Sequence, residues 1–193
     1  DLHSGYWSAG RARSEGMEGI FVRAVASAYD LTRDAIQADG QPVYSLKERL
    51  QIEKDLLLES TKLLVADSAI NNKSVGNRSA AGIVGMVVGE PDLVRFGMEG
   101  LQRTVTDWFL PDGGTPESPG YADMALSGIV DFSQALRGYS DPPGYTDAQG
   151  KRYDDFNPYQ QNAFQKVWRG MFNSLQGDLK YPPFGDSYEE SKM

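Results

Sequence analysis

The chain of 193 residues contains no cysteine and one histidine, His3. The absence of cysteine excludes disulfide frameworks, thiolate nucleophiles and cysteine-ligated zinc sites. A single histidine close to the N-terminus makes a Ser-His-Asp triad hard to build and a two-histidine metal site impossible. No apolar run is long enough to cross a bilayer. The first residue is Asp1 rather than Met, so we expect an upstream segment to have been removed.

Basic residues are also scarce, since 19 Lys and Arg stand against 27 Asp and Glu, for a net charge of -8. This balance argues against a general nucleic-acid or anionic-membrane surface, and an anionic substrate would need a local basic cleft. The hydrophobic content of 40% and the charged content of 24% are ordinary for a folded domain. We therefore expect residues 1–193 to form a single domain with a sizeable core.

Apolar residues recur every three or four positions along most of the chain, as on the buried face of a helix. Ser45 with Glu48 predicts a capping box that opens a long helix running to about Ile70. Gly89 fits a C-terminal cap, and Pro91 fits the first turn of the next helix. About six helices and no convincing strand predict an all-α fold of antiparallel helical hairpins, as in a bundle, a solenoid or part of an (α/α) toroid. No fixed-period repeat supports a regular solenoid.

The segment from Phe109 to Tyr121 is a loop rich in proline and glycine that ends where a new helix begins. Its prolines fix several φ angles, so the loop is predicted to be rigid. Asp112 and Glu117 could form the acid/base pair of a glycoside hydrolase, although two carboxyls in one short loop are poorly placed to face each other across a cleft. Glu117 could instead accept hydrogen bonds from loop amides. Tyr121 could supply chemistry or could simply pack.

The pattern as a whole resembles the heparinase II/III-like polysaccharide lyases, which include related alginate lyases, from about residue 29 to residue 186. Three stretches carry the resemblance: Ala28-Tyr29-Asp30; Asn71-Asn72-Lys73-Ser74-Val75-Gly76-Asn77-Arg78, with the glycine-rich helix and Gly89-Glu90-Pro91-Asp92 after it; and Leu110-Pro111-Asp112-Gly113-Gly114-Thr115-Pro116-Glu117-Ser118-Pro119-Gly120-Tyr121.

The resemblance implies a partial (α/α) toroid in which a catalytic asparagine opens one helix and a catalytic tyrosine follows the loop. Tyr121 matches the tyrosine, and either Asn77 or Asn72 matches the asparagine. The residues implied to bind substrate are Arg78, Lys73 and Glu117. Relatives often carry histidine directly after the asparagine and after the tyrosine, where Lys73 or Arg78 and Ala122 stand here. A further C-terminal region of the same protein could supply a histidine.

Such lyases cleave uronic-acid polymers by β-elimination. A base removes the C5 proton, which is weakly acidic until the neighbouring carboxylate is neutralised. An Asn amide can donate hydrogen bonds to that carboxylate, and Lys73 or Arg78 can add positive charge. Tyr121 is the expected general acid or base. This route needs no metal or cofactor, and it implies an anionic polysaccharide partner, no nucleic acid, no membrane, and a secreted or periplasmic location.

Two other functions fit the same residues. The first is an (α/α) toroid glycoside hydrolase that uses Asp112 and Glu117. The second is a non-catalytic, carbohydrate-binding helical module, in which Asn77 merely caps a helix and Lys73 and Arg78 are solvated. Tyr6 and Trp7 could stack on sugars in any of these proteins. The chemistry of the reaction product distinguishes the three functions.

Overall fold

Seven α-helices make up most of the regular structure of residues 17–183 and 185–186, the part of the chain that this computed structural model describes. A π-helical stretch, Gln51–Leu58, joins α2 to α3, and a second, Thr104–Trp108, extends α5, while a 3-10 turn, Pro158–Gln160, precedes α7. This part of the chain has two isolated β-bridges and no strand, so the all-α prediction is confirmed. The helices are α1 (Met17–Thr32), α2 (Leu46–Leu50), α3 (Glu59–Val65), α4 (Ser74–Val88), α5 (Pro91–Arg103), α6 (Pro119–Ala135) and α7 (Asn162–Asn173).

Local signals in the sequence set several helix ends. Ser45 and Glu48 form the predicted capping box, and Gly89 ends α4 with a left-handed φ of 80°. The helix predicted to reach Ile70 is shorter, since α3 ends at Val65. The carboxylate of Asp67 accepts the amide of Ala69 at 3.0 Å, and this Asx turn competes with further helical hydrogen bonds.

Helices α1, α4 and α6 run in the same direction. Gly19 near the start of α1 bonds to Asn77 near the start of α4, and Arg33, just past α1, reaches the carbonyl of Val87 near the end of α4. The hydroxyl of Ser79 donates to the carbonyl of Gly128 at 2.7 Å, which aligns α4 with α6. The N-terminal halves of three helices therefore meet at one end of the fold, which we call the site end.

The remaining helices run in the opposite direction and complete three antiparallel hairpins. Gly100 of α5 packs on Arg78 near the start of α4, so α5 returns along α4. The 3-10 turn before α7 bonds to Gln134 at the end of α6, while Gly170 of α7 packs against Gly113 in the loop before α6. No helix of the described residues is both long and apolar enough to cross a membrane.

The π-helical stretch is tied to α1 by a buried tyrosine. Tyr29 is 4% exposed, and its hydroxyl donates to a carboxylate oxygen of Glu53 at 2.7 Å. Burial, followed by this hydrogen bond, raises the pKa of Tyr29 to about 12. The unfolded-state pKa is about 10, so the neutral phenol stabilises the fold below about pH 10, and that contribution is lost as the pH rises through about 12.

We therefore expect the free energy of unfolding to fall between about pH 10 and pH 12, and to fall less steeply in Tyr29→Phe. Burial and a hydrogen bond to Asp141 also raise the pKa of Tyr139, so part of the slope will remain in the variant. Denaturant titrations across this pH range would measure both slopes. Identical slopes for the two proteins would mean that Tyr29 titrates alike in the folded and unfolded chains.

Candidate functional site

The segment between α3 and α4 lies at the site end and is held by a compact set of hydrogen bonds. The side-chain oxygen of Asn71 accepts the amides of Lys73 at 2.9 Å and Ser74 at 2.8 Å. The hydroxyl of Ser74 in turn accepts the amide of Asn71 at 2.9 Å. These bonds satisfy amides at the start of α4. Asn71, and not Asn77, is therefore the side chain that accepts them.

Asn72 is the polar side chain that this segment turns toward α6. It is 5% exposed, and its amide nitrogen lies 3.5 Å from the sulfur of Met124. No other hydrogen bond joins the Asn72 side chain to a described residue. A thioether is a weak acceptor, so this buried carboxamide keeps most of its donor capacity. Met124 follows Tyr121 by three residues, which places both on neighbouring positions of the first turns of α6.

Tyr121 is half-buried in the first turn of α6. The hydroxyl of Ser118 accepts its backbone amide at 3.3 Å and caps the helix, with Pro119 at the first helical position. The Tyr121 hydroxyl makes no hydrogen bond to any residue in the described part of the chain. The helix start is thus fixed by the cap, while the phenol remains available to a ligand.

The two carboxylates of the loop have different surroundings. Asp112 accepts the amide of Gly114 at 2.9 Å and shapes the loop, which supports the structural interpretation of this residue. The exposed side chain of Glu117 accepts no hydrogen bond from residues 17–183 or 185–186. The proposed loop-amide role of Glu117 is therefore not supported, and its substrate-binding role stays a prediction.

Asn77 is enclosed in the core, and its catalytic role stays a prediction. Its side chain is 0% exposed, its nitrogen donates to Asp67 at 3.0 Å, and its oxygen accepts the amide of Gly19 at 3.2 Å. It lies inside α4, so the capping interpretation is wrong. Its hydrogen bonds connect α1 to the end of α3, and both polar atoms of its side chain have partners within the fold.

Arg78 is likewise buried, at 4% exposure, and its role in binding substrate stays a prediction. Its guanidinium lies 4.5 Å from the ring centroid of Phe96, and its aliphatic stem packs on Gly100. Burial lowers the pKa of Arg78 from its ordinary value. The residue therefore belongs to the interface between α4 and α5.

Two other cations, Lys73 and Arg23, are less deeply buried than Arg78. Lys73 follows Asn72 directly, is half-buried, and forms no ion pair with any residue that the structure describes. Arg23 of α1 reaches across to α6, where it pairs with Asp131 at 3.0 Å and bonds to the carbonyl of Ser127 at 3.5 Å. Arg23 and Asp131 also line a groove of about 750 Å³ between α1, α4 and α6.

Sequence reasoning missed two residues of this region. Asp67 is fully buried and bonds to both Ala69 and Asn77, so it anchors the segment that carries Asn72. An Asp just after the end of a helix, as Asp67 is after α3, is a sequence signal for an Asx turn to the amide two residues later. Met124, in the first turns of α6, is 45% exposed although it is apolar. The predictions concerning His3, Tyr6 and Trp7 lie outside the described residues.

A protein of Saccharophagus degradans named exo-oligoalginate lyase is 26% identical to this chain over 132 residues. The matched region covers 62% of the chain but only 17% of that protein, so the chain spans less than a fifth of the relative's length. The similarity relates part of the chain to a polysaccharide lyase. No protein-family model matches the chain, and no solved structure matches it.

Proposed function

We propose that this chain carries part of the active site of a polysaccharide lyase that cleaves a uronic-acid-containing polysaccharide by β-elimination. The observation that carries the proposal is the carboxamide of Asn72, whose partner among the described residues is a weak acceptor, the sulfur of Met124. It lies beside the first turns of α6, the helix that carries Tyr121 in its first turn. The partial similarity to an exo-oligoalginate lyase supports the same chemistry. The heparinase II/III-like assignment remains part of this proposal.

In the proposed reaction, Asn72 donates hydrogen bonds to the carboxylate of the uronate at the cleavage point, and Lys73 adds positive charge nearby. Both interactions stabilise the negative charge that develops when the C5 proton leaves. The electron pair of the C5–H bond forms the C4–C5 double bond, and the C4–O bond breaks. Tyr121 either donates a proton to the departing glycosidic oxygen while a histidine of a further region of the polypeptide takes the C5 proton, or takes the C5 proton as phenolate and passes it to that oxygen. Glu117, exposed on the loop before α6, contacts the sugar.

The helix directions support a partial (α/α) toroid, with α1, α4 and α6 as one parallel layer and their antiparallel partners as the other. We propose that residues 1–193 form one such unit. A further region of the same polypeptide completes the sugar-binding cleft and supplies a histidine. The substrate proposed here is an anionic polysaccharide outside the cytoplasm, which places the protein in the periplasm or among secreted proteins.

The experiment incubates the chain separately with alginate, hyaluronan, chondroitin and heparan, and follows ultraviolet absorbance of the unsaturated uronate. We expect absorbance to rise with at least one polymer. Reducing ends without a double bond would instead select the hydrolase, and binding without products would select the non-catalytic module. A chain that neither binds nor cleaves any of these polymers contradicts the proposal.

A binding measurement on Asn72→Ala tests whether Asn72 belongs to the site. Loss of a hydrogen bond to a charged group corresponds to about a 10–100-fold loss of affinity for an oligouronate. Binding is measured calorimetrically in a Tyr121→Phe background, so that the ligand is not consumed. Asn173→Ala, on the exposed end of α7, is the matched control and should bind like its parent. Equal affinities for all three proteins would remove Asn72 from the site.

A further inference from the structure

Met124 is the residue that the Asn72 carboxamide contacts on α6. The amide nitrogen and the sulfur are 3.5 Å apart, and the methionine is 45% exposed while the asparagine is 5% exposed. The methionine side chain therefore contacts both the asparagine and solvent. A carboxylate that accepts the Asn72 N–H now directed at the sulfur must take the position of the sulfur.

We propose that Met124 is a displaceable cover over Asn72 and thereby helps to determine which sugars the site accepts. The inference rests on the proposed function, because it assumes that Asn72 binds a uronate carboxylate. A thioether is a weak acceptor, so a carboxylate displaces it at low cost. A neutral sugar offers no charged acceptor, and it gains little by displacing the methionine. The cover thus favours uronates over neutral hexoses.

Several features fit a movable cover. Methionine has three rotatable side-chain bonds, and it adapts its shape without disturbing its helix. The buried face of α6 is formed by other residues, among them Ala125, Ile129 and Phe132, so Met124 can move without opening the core. Its backbone carbonyl is bonded by the hydroxyl of Ser127 at 2.8 Å, and this bond keeps the helix itself in place.

Two variants distinguish the effect of the sulfur acceptor from the effect of the side-chain volume. Met124→Leu keeps the volume but removes the acceptor, and Met124→Ala removes the cover altogether. A weak hydrogen bond of this kind contributes about 0.5–1 kcal/mol, which corresponds to about a two- to fivefold change in affinity. We expect Met124→Ala to bind an oligoalginate tetramer about two- to fivefold more tightly than the parent, and to lose selectivity against a neutral oligosaccharide of equal length.

The measurement uses the full chain in the Tyr121→Phe background as the parent, calorimetry for affinity and the ¹⁵N side-chain resonance of Asn72 as a probe that needs no turnover. Met86→Leu, which changes a half-buried methionine of α4, is the control for methionine loss. In the parent, oligoalginate should shift the Asn72 resonance, and Met124→Leu should shift it without ligand. Met86→Leu should do neither.

The outcomes keep this inference distinct from the proposed function. If neither oligoalginate nor an oligosaccharide of hyaluronan, chondroitin or heparan shifts the Asn72 resonance in the parent, the proposed function fails and the cover has no role. If the resonance moves but Met124→Ala binds with unchanged affinity and unchanged selectivity, the site is correct and the cover is wrong. An increase in affinity that Met86→Leu reproduces would also overturn the role assigned to Met124.

Discussion

Replacing Tyr121 with phenylalanine should lower turnover of the uronic-acid substrate by about 10²–10⁴-fold, the usual contribution of a positioned proton donor or acceptor. The affinity for an oligouronate should barely change, because the phenol acts mainly in the transition state. Thermal stability should also hold, since the hydroxyl bonds to no residue within the described ranges. Initial rates from product absorbance, calorimetric affinities and thermal unfolding would measure the three quantities.

A matched control is available at the opposite end of α6. The hydroxyl of Tyr159 accepts a hydrogen bond from Gln134 at 3.0 Å, and burial raises the pKa of Tyr159. Tyr159→Phe removes a hydroxyl that has a structural partner but is far along the helix from Tyr121. We expect Tyr159→Phe to cost some stability and no turnover. A Tyr121→Phe protein that keeps full turnover would exclude Tyr121 from the chemistry.

The local elements of this fold could be predicted because short-range chemistry sets them. The capping box of Ser45 and Glu48 and the left-handed Gly89 each depend on residues within one turn. The end of α3 could not be predicted in the same way, because apolar periodicity continues to Ile70. The buried carboxylate of Asp67 ends the regular pattern, and its burial depends on helices distant in sequence.

The choice between Asn72 and Asn77 shows where sequence reasoning stopped. Both are asparagines near the start of the same helix, and local sequence favours neither. The amide of Gly19, 58 residues earlier, closes over Asn77 and makes it part of the core. Asn72 is left to face α6, 52 residues later, through the sulfur of Met124. Only long-range packing distinguishes the two, and neither periodicity nor motif spacing reports it.

The rigid loop that delivers Tyr121 could be predicted from its prolines and glycines, but its anchor could not. Gly113 has a φ of +86°, and a Cβ atom placed on it would lie 2.0 Å from the carbonyl oxygen of Lys166 in α7. The carbonyl of Gly113 itself packs against Gly170 of the same helix. The loop thus packs directly on the backbone of α7, which cannot move aside as a flexible side chain can.

Gly113→Ala should therefore destabilise the protein by about 2–5 kcal/mol, the sum of a left-handed non-glycine residue and an overpacked contact. Gly40→Ala isolates the first term, since its φ is +84° and no atom lies within 4 Å of the added methyl. Denaturant unfolding should place Gly113→Ala well below Gly40→Ala in stability. Because the loop also sets the start of α6, turnover by Gly113→Ala should fall even where the protein remains folded. Equal stability of the two variants would show that the loop is not seated on α7, and the rigid delivery of Tyr121 would then need another cause.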